Sequence, residues 1–383
     1  MTARERLLTA LDHREPDRVP LDMGSTHVTG IAVRAYEGLR KELGLPAVEP
    51  TIVDDVQQIA LPDEDVAQRL GIDVRGLFPV TSNTITVPVA DVGNYWEYLD
   101  EWGIVHRMPK DEGLYYSLVR SPIGGMSASV SQIEEHIWPE GGDPARIAGL
   151  REQAEAYRAA GYPVVLKGVC AGLCEVACRV RGMENFLCDL MIDEDVTRAL
   201  LDKILQIKLD FWSMALGELG DLVDVMLEAD DYGTQDSQLV PPAKFREVFK
   251  PRLRDLFSSM KAAAPHAKVM FHSCGNVREI IPDFIEIGVD ILNPVHVRAT
   301  GMEPSGLKRD FGDALCFWGG GVDTQGVLPN GTPDQVREDV RRNVSALMPG
   351  GGYVFNTVHN IQADVPPANI VAMVEALHEV GMY

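Results

Sequence analysis

The feature of this sequence that most constrains its fold is the regular alternation of short β-branched runs with longer helical patterns. Strands that alternate with helices are typical of βαβ units, whose strands lie parallel in one sheet. Eight runs are candidate strands: Arg18–Met23, Asp73–Phe78, Pro163–Gly168, Leu222–Glu228, Lys268–His272, Val289–Asn293, Leu315–Gly319 and Tyr353–Asn356. Eight such units predict an α/β fold that closes into a single (β/α)8 barrel, the TIM barrel.

Two segments depart from this rhythm. A helical extension is expected at the N-terminus, ahead of the first strand. Residues 79–162 form an insertion between the second and third strands and contain the segment ITVPVADVGNYWEYLDEWGIVHRM. Its alternation predicts a hairpin with an aromatic-rich connection, which would cap or line the site. Because no linker-like stretch interrupts the chain, residues 1–383 are predicted to form one domain.

Charge and hydropathy limit the classes of partner. The formal net charge of −22 disfavours nucleic acids and anionic membranes, which are bound through basic patches. The N-terminus has no apolar core of a signal peptide, and no stretch approaches the roughly 20 apolar residues of a membrane span, so a cytoplasmic protein is expected. The six cysteines are then predicted to be reduced thiols. Small molecules or another protein remain as partners, and a homodimer is left open.

Polar side chains follow the ends of the predicted strands, where the catalytic face of a (β/α)8 barrel lies. The fourth strand ends in Glu228, Asp230 and Asp231, which are the candidate catalytic residues. The candidate substrate-binding residues follow the fourth, sixth and seventh strands: Gln235, Asn293, His296 and Asp323. For the adjacent acids, a general acid/base pair and a hydrogen-bonded brace of the loop are both open.

A metal site is predicted at the end of the fifth strand. His272 and Cys274 place an imidazole and a thiol close together, and both are ligands that Zn2+ accepts. His359, which leaves the last strand on the same face, is the candidate third ligand, and Glu228 or His296 would supply a displaceable fourth. The alternative is that His272 hydrogen-bonds a carboxylate, Cys274 packs, and His359 binds substrate without a metal.

The other cysteines favour packing over metal binding. Cys170, Cys174 and Cys178 recur every four residues, so on a helix they would form one stripe, but no histidine or carboxylate completes a site on that face. Cys316 begins the seventh strand, toward the stability face of the barrel, and Cys188 lies in an apolar helical stretch. Neither is expected to be a ligand.

Five segments carry a resemblance to a known superfamily: RERLLTALDHREPDRVP, VRGMENFLCDLMIDEDVTRALLDKI, ADDYGTQDSQLVPPAKFREVFKPRL, HSCGNVREIIPDFIEIGVDILNPV and VHNIQADVPPANI. Together they resemble the uroporphyrinogen decarboxylase superfamily, whose members share a (β/α)8 barrel. The superfamily includes decarboxylases of tetrapyrrole acetates, which use no cofactor, and zinc methyltransferases that exchange methyl groups with a corrinoid.

The sequence departs from the decarboxylases of that superfamily. Their arginine-bearing stretch after the first strand, which grips substrate carboxylates, is replaced here by DMGSTHVTGIAVRAYEG, with Arg34 as the nearest cation. The resemblance therefore favours the methyltransferase branch, in which Zn2+ is bound by the protein and the corrinoid (cobalamin) by a partner protein. No second domain to house a corrinoid is expected within residues 1–383, which also contain no DxHxxG motif for its lower ligand.

The methyltransferase branch implies a role for each metal ligand. Its HxC motif is present as His272 and Cys274, but the cysteine that thiol-methylating members carry after the last strand is His359 here. Two imidazoles and one thiolate leave a more Lewis-acidic zinc than two thiolates do, which suits activation of a methyl ether. The resemblance thus implies O-demethylation of a small-molecule methyl donor.

The aromatic residues of the insertion would shelter an aryl ring or simply pack: Tyr95, Trp96, Tyr98, Trp102, Tyr115 and Tyr116. Three functions stay open at this point. They are a corrinoid-linked methyltransferase, including one that methylates a thiol from methylcobalamin, a cofactor-free decarboxylase or related lyase, and a barrel that binds a corrinoid or tetrapyrrole without catalysis.

Overall fold

The computed structural model of the protein describes residues 1–82 and 86–383. The strands of the described residues are Ile31–Ala32 (β1), Ile52–Asp54 (β2), Ile59–Ala60 (β3), Arg75–Leu77 (β4), Val87–Val92 (β5), Tyr95–Leu99 (β6), Val105–Pro109 (β7), Ser117–Arg120 (β8), Val164–Lys167 (β9), Val225–Ala229 (β10), Lys268–His272 (β11), Ile291–Asn293 (β12), Cys316–Trp318 (β13) and Tyr353–Val354 (β14).

The α-helices of the described residues are Ala3–Leu11 (α1), Val33–Glu42 (α2), Glu64–Leu70 (α3), Val130–Glu135 (α4), Leu150–Ala159 (α5), Leu173–Arg181 (α6), Met183–Ile192 (α7), Glu194–Leu219 (α8), Pro242–Lys244 (α9), Lys250–Ala263 (α10), Ile281–Glu286 (α11), Pro304–Phe311 (α12), Val327–Asn330 (α13), Pro333–Leu347 (α14) and Pro367–Val380 (α15). A π-helical turn at Phe245–Phe249 joins α9 to α10. No helix among the described residues is both long and apolar enough to cross a membrane.

Seven parallel strands form the curved sheet of the barrel, in the order β14-β13-β12-β11-β10-β9-β4. Since every pair in this sheet is parallel, the C-terminal ends of all seven strands lie at one end, which we call the mouth. Seven of the eight predicted barrel strands are thus confirmed, with small changes at their ends. The predicted TIM-barrel-like α/β fold is confirmed as well.

The first predicted strand, Arg18–Met23, is the exception. It forms isolated bridges, of which Leu21 with Phe355 is parallel, instead of a regular strand. Phe355 N–H donates to Pro20 O (2.8 Å), and Asp73 N–H donates to Leu21 O (2.8 Å), so the segment still joins the two edges of the sheet. Pro20 has no N–H to donate and the chain bends at Met23, so a longer ladder cannot form.

Alternation along the barrel strands separates two apolar layers. The side chains that point inward form a compact cluster in the barrel: Val74, Val165, Val225, Leu227, Met270, Ile291, Cys316, Trp318 and Val354. The intervening residues, such as Leu166, Met226 and Phe271, belong to the larger core between the sheet and the helices. The parity of a residue along its strand therefore decides whether it faces the barrel interior or the helical layer.

The predicted N-terminal helical extension is present as α1. It begins with a capping box in which Thr2 accepts from Glu5 N–H. Its Leu7 and Leu11 belong to the inner cluster of the barrel, and Gly352 N–H donates to Ala10 O (2.8 Å). The helix therefore packs against the barrel on the side where the strands begin.

The insertion between β4 and β9 contains a four-stranded antiparallel sheet in the order β5-β6-β7-β8. The predicted hairpin is confirmed for β5 and β6, which turn at Gly93 and Asn94 (φ +64° at Gly93), although the predicted segment begins at Ile85, outside the described residues. Within the insertion, a buried ion pair of Glu101 with Arg146 (2.6 Å) ties the end of this small sheet to the segment that precedes α5.

Candidate metal centre at the barrel mouth

Three side chains meet at the mouth of the barrel. His272 is the last residue of β11, Cys274 lies two residues further, and His359 follows β14. Their donor atoms all lie within 4.8 Å of one another, and Cys274 Sγ is 3.5 Å from His272 Nε2. The fold thus brings together the three residues that the sequence predicts as ligands, at a spacing that one metal ion can bridge.

The loop that carries Cys274 is held by close packing against the loop after β10. Gly275 has φ of +83°, and a Cβ on it would lie 2.4 Å from the backbone carbon of Gly233. Asp231 Oδ1 also accepts a hydrogen bond from Cys274 N–H (2.8 Å). A larger residue at position 275 would push the two loops apart and move Cys274 away from His272.

Asn293 fixes the orientation of the His272 ring. Asn293 Nδ2 donates to the carbonyl oxygen of Trp318 (2.7 Å), so its Oδ1 faces His272 Nδ1 at 2.5 Å. An amide oxygen only accepts, so His272 Nδ1 carries the proton and Nε2 keeps its lone pair. That lone pair is on the atom that lies beside Cys274, which is the arrangement of a metal-ligating histidine with a supporting acceptor.

The hydrogen bonds of His359, unlike those of His272, do not orient a free nitrogen toward a metal. Burial, followed by the neighbouring His272, lowers the pKa of His359 to about 4, and burial likewise lowers the pKa of His272 to about 4. Both rings are therefore neutral near pH 7 and able to bind a metal. In this structure Asn360 N–H donates to His359 Nδ1 (2.8 Å), so binding a metal through either nitrogen would give up this hydrogen bond.

Asp231 lies beside the cluster on its open side. Its side chain is 42% exposed, and Oδ1 is 3.8 Å from His272 Nε2. Burial, and next the charge of Asp231, raises the pKa of the Cys274 thiol well above its usual value, so a metal binding there would displace a proton. One thiol and two neutral imidazoles, with room on one side, fit the three-ligand donor set of a catalytic zinc site.

Two predicted catalytic residues point away from this cluster. Glu228 has the parity of Met226 and faces the helical layer, where it pairs with Lys208 Nζ (2.7 Å) and accepts from Trp212 Nε1 (2.6 Å). Asp230 accepts from the N–H groups of Cys174 and Glu175 (2.9 Å each) at the start of α6. Burial raises the pKa of Asp230 to about 7. In this structure both acids act as braces between strand and helix.

The residues predicted to bind substrate already make hydrogen bonds within the protein, mostly to loop residues. Asn293 holds His272 at Nδ1. His296 Nδ1 accepts from Gly275 N–H (3.0 Å), and the exposed Gln235 donates to Arg298 O (2.8 Å). Asp323 accepts from Gln325 N–H (2.9 Å) and pairs with Arg298. Asn293 contacts His272 directly, and His296 acts electrostatically on both His272 and His359.

Two residues of the mouth were not predicted. Lys167 is the last residue of β9 and has the inward parity of Val165. His27 follows the first barrel segment, and its buried Nδ1 has no hydrogen-bond partner among the described residues. Burial lowers the pKa of His27, and so do the charges of Lys167, His272, Arg179 and His359. His27 therefore lies near Lys167 and near the two predicted histidine ligands. The signal available in the sequence was their position at strand ends, combined with parity for Lys167.

The remaining cysteines are not ligands of this cluster. Cys170 precedes α6 and has a left-handed backbone (φ +54°), so the predicted stripe does not lie on one helix. Cys174 is buried, and its thiol interacts with that of Cys178. Cys316, at the start of β13, contacts Leu11 O (3.4 Å) away from the mouth, and Cys188 is exposed.

The aromatic side chains of the insertion largely contact protein groups. Tyr98 stacks on His106 with ring centroids 4.9 Å apart and meets Tyr116 edge-on at 5.0 Å. Trp102 is buried and packs against Trp138 (6.2 Å). Tyr95, Trp96 and Tyr115 are exposed. Burial and the carboxylates of Asp100, Asp55 and Asp54 raise the pKa of Tyr98, so that ring lies near these acids.

Comparison with known proteins gives a consistent result. The sequence profile of Uroporphyrinogen decarboxylase (URO-D) matches residues 127–380. Curated uroporphyrinogen decarboxylases from Psychromonas ingrahamii and Legionella pneumophila are 41% and 38% identical over 89 and 88 residues, 22% and 21% of this chain. These alignments cover 25% of each relative, so the chain matches about a quarter of their length.

A solved structure matches over the whole chain. A methyltransferase from Methanosarcina mazei has a TM-score of 0.63 at 20% sequence identity, and the match covers 99% of each chain. At this level of identity the two proteins share a fold.

Proposed function

Because the chain belongs to the uroporphyrinogen decarboxylase (URO-D) family, we propose that it is a zinc-dependent methyltransferase of that family, which moves a methyl group from an O-methyl substrate to a corrinoid protein. The observation that carries this proposal is the His272–Cys274–His359 cluster at the mouth. The family resemblance implies that the decarboxylases use no cofactor, so a decarboxylase would not need a cluster of metal ligands. A structural neighbour described as a methyltransferase supports the same choice.

The cluster would hold zinc with one thiolate and two neutral imidazoles. When bound there, zinc would supply a Lewis acid that draws electron density from the ether oxygen of the methyl donor. The Cys274 thiolate offsets only one of the two charges of the ion, so the site would keep a net positive charge. His296 and Asp231 lie nearer to the cluster than Glu228 does, and either would serve as the fourth ligand.

Asp231 is the better of the two adjacent acids for orienting a substrate. Asp230 is buried against α6, whereas Asp231 is partly exposed beside His272. Because Asp231 also accepts from Cys274 N–H, a substrate held by its second oxygen would lie next to the metal ligands. The packed aromatic side chains of the insertion give no specific support to an aryl donor, so the proposal extends to alkyl methyl ethers.

The proposal is tested by an assay with three components: this protein loaded with zinc, a reduced corrinoid protein, and a panel of methoxylated donors. Loss of the reduced-corrinoid absorption spectrum, together with release of the demethylated alcohol or phenol, is expected only when all three are present. A parallel arm supplies uroporphyrinogen to the protein alone. Conversion of uroporphyrinogen to coproporphyrinogen without methyl transfer would contradict the proposal.

The decarboxylase alternative is supported by the two curated relatives named above, which are described as uroporphyrinogen decarboxylases. A substrate of that class carries several carboxylates and needs several cations. Arg34, the nearest cation after the first barrel segment in the sequence, lies exposed on α2. The uroporphyrinogen arm of the assay therefore separates the two functions directly. Supplying methylcobalamin and a thiol tests the remaining alternative, transfer in the opposite direction.

Replacing Asn293 by alanine should weaken zinc binding about 10–100-fold, because His272 loses the acceptor that fixes its tautomer and ring orientation. Competition with a chromophoric chelator measures this affinity. Asn369→Ala is a matched control, since Asn369 is also buried but holds the carbonyl groups of Leu328 and Gly331. Equal zinc affinity in wild type and Asn293→Ala would show that Asn293 does not position the ligand.

A further inference from the structure

Lys167 places an ammonium group at the mouth of the barrel. It ends β9 opposite Leu227, one inward-facing step below Ala229, which in turn lies opposite His272. Val164 and Leu166 belong to the outer core, while Val165 belongs to the inner cluster, so Lys167 shares the inward parity. The side chain is partly buried, and its stem rises from the barrel interior toward the end where the metal ligands lie.

This ammonium group has no counter-ion within hydrogen-bonding or ion-pair distance among residues 1–82 and 86–383. A lysine that is at least partly buried normally pairs with an acid. The acids that act on it from further away are Asp54 and Glu101. Glu101 already pairs with Arg146 (2.6 Å), and Asp54 accepts from Gln57 N–H (2.7 Å).

Lys208 gives a useful contrast. It is a second buried lysine close to β10, but its ammonium group donates to Glu228 (2.7 Å) and to Val169 O (3.1 Å). The Lys208 ammonium group is therefore paired, and it holds α8 to the sheet. Lys167, in the same region of the fold, has none of these contacts and faces the open end of the barrel.

Lys167 and the metal ligands have a common neighbour. His27 is acted on electrostatically by Lys167 and Arg179 and also by His272 and His359, so each of these groups lies near His27. Arg179 is itself paired with Glu175. Lys167 is consequently the cation in this group whose charge is left for a ligand.

We infer that Lys167 binds an anionic group of the methyl donor, so that the donor class is a methyl ether bearing a carboxylate. This inference rests on the proposed function. A carboxylate paired with Lys167 would anchor one end of the donor in the barrel, while the methoxy group reaches the His272–Cys274–His359 cluster. The donor would replace the water around the ammonium group and supply the counter-ion that the protein omits.

The test compares acids with their primary amides, which have the same shape and no charge. Titration calorimetry of the zinc-loaded protein uses ortho-, meta- and para-methoxybenzoate and methoxyacetate, each against its own amide. At least one acid should bind at least about tenfold more tightly than its amide, the size of a charge-assisted contact. Lys167→Met should abolish that preference while zinc content stays near one per chain.

Two further variants make the result specific. Lys203→Met removes the same charge from the exposed surface of α8 and should leave the preference intact. Lys167→Arg keeps the charge and should retain part of the preference. Equal binding of all acids and amides by the wild type, or an unchanged preference in Lys167→Met, would overturn the inference. If acids are preferred through Lys167 but no methyl transfer occurs, the subsite stands and the proposed function falls.

Discussion

Replacing Cys274 by alanine should reduce bound zinc from about one ion per chain to below about a tenth, and methyl transfer should fall with it. Cys274 is the anionic ligand of the proposed site, and the two remaining imidazoles alone bind zinc far more weakly. Elemental analysis of protein purified without chelators measures the metal, and the corrinoid spectrum measures transfer.

The control for this experiment is Cys188→Ala, which removes an exposed thiol on α7. It should keep wild-type zinc content, because Cys188 is remote from the cluster. Thermal unfolding of both variants separates loss of the ion from loss of the fold. A Cys274→Ala protein that is folded and carries as much zinc as the wild type would rule out the proposed ligand set.

Replacing Lys208 by methionine should lower the free energy of unfolding by about 3–5 kcal/mol, because Glu228 would be left buried without its cation. Both side chains lie in the layer between β10 and α8, with almost no exposed surface. Urea unfolding monitored by tryptophan fluorescence measures the change.

Glu228→Gln distinguishes a structural role for Glu228 from a catalytic one. The amide oxygen can still accept from Trp212 Nε1, and a double variant with Lys208→Met should be more stable than Lys208→Met alone because no unpaired charge remains. Zinc content should be unchanged in all three proteins. A large loss of zinc or of methyl transfer in a stable Glu228→Gln protein would instead place Glu228 in the reaction.

The fold was predictable because its signal is repeated. Seven strands of the barrel follow from β-branched runs, and each lies within or close to its predicted bounds. The first segment was predicted as a strand because RVPLDM is mostly apolar, yet Pro20 removes a donor and leaves isolated bridges. Its position between the two edges of the sheet was nevertheless correct.

The candidate site was predictable to the extent that strand ends determine it. His272 and Cys274 follow one strand, so their proximity is local, and His359 joins them because parallel strands end together. The parity of a residue along its strand adds a second constraint. Applied to β10, it assigns Leu227 to the barrel and Glu228 to the helices, and applied to β9 it singles out Lys167.

Other roles depend on contacts between distant segments, which no local pattern contains. Asn293 supports His272 because the carbonyl group of Trp318, on the next strand, fixes its amide. Asp230 braces a helix because the N–H groups that begin α6 lie above β10. From the sequence alone, these residues cannot be distinguished from substrate-binding or catalytic ones.

Helix α1 has a consequence for the order of events in a catalytic cycle. Leu7 and Leu11 of this helix fill the base of the barrel, and Cys316 Sγ contacts Leu11 O there. In the described residues this end of the barrel is therefore closed. Donor and corrinoid protein would then share one entrance. A docked corrinoid protein would cover that entrance, so the donor must enter first, and the demethylated product must wait until the partner departs. Kinetics of transfer should therefore follow a compulsory order, with excess corrinoid protein slowing turnover by trapping product.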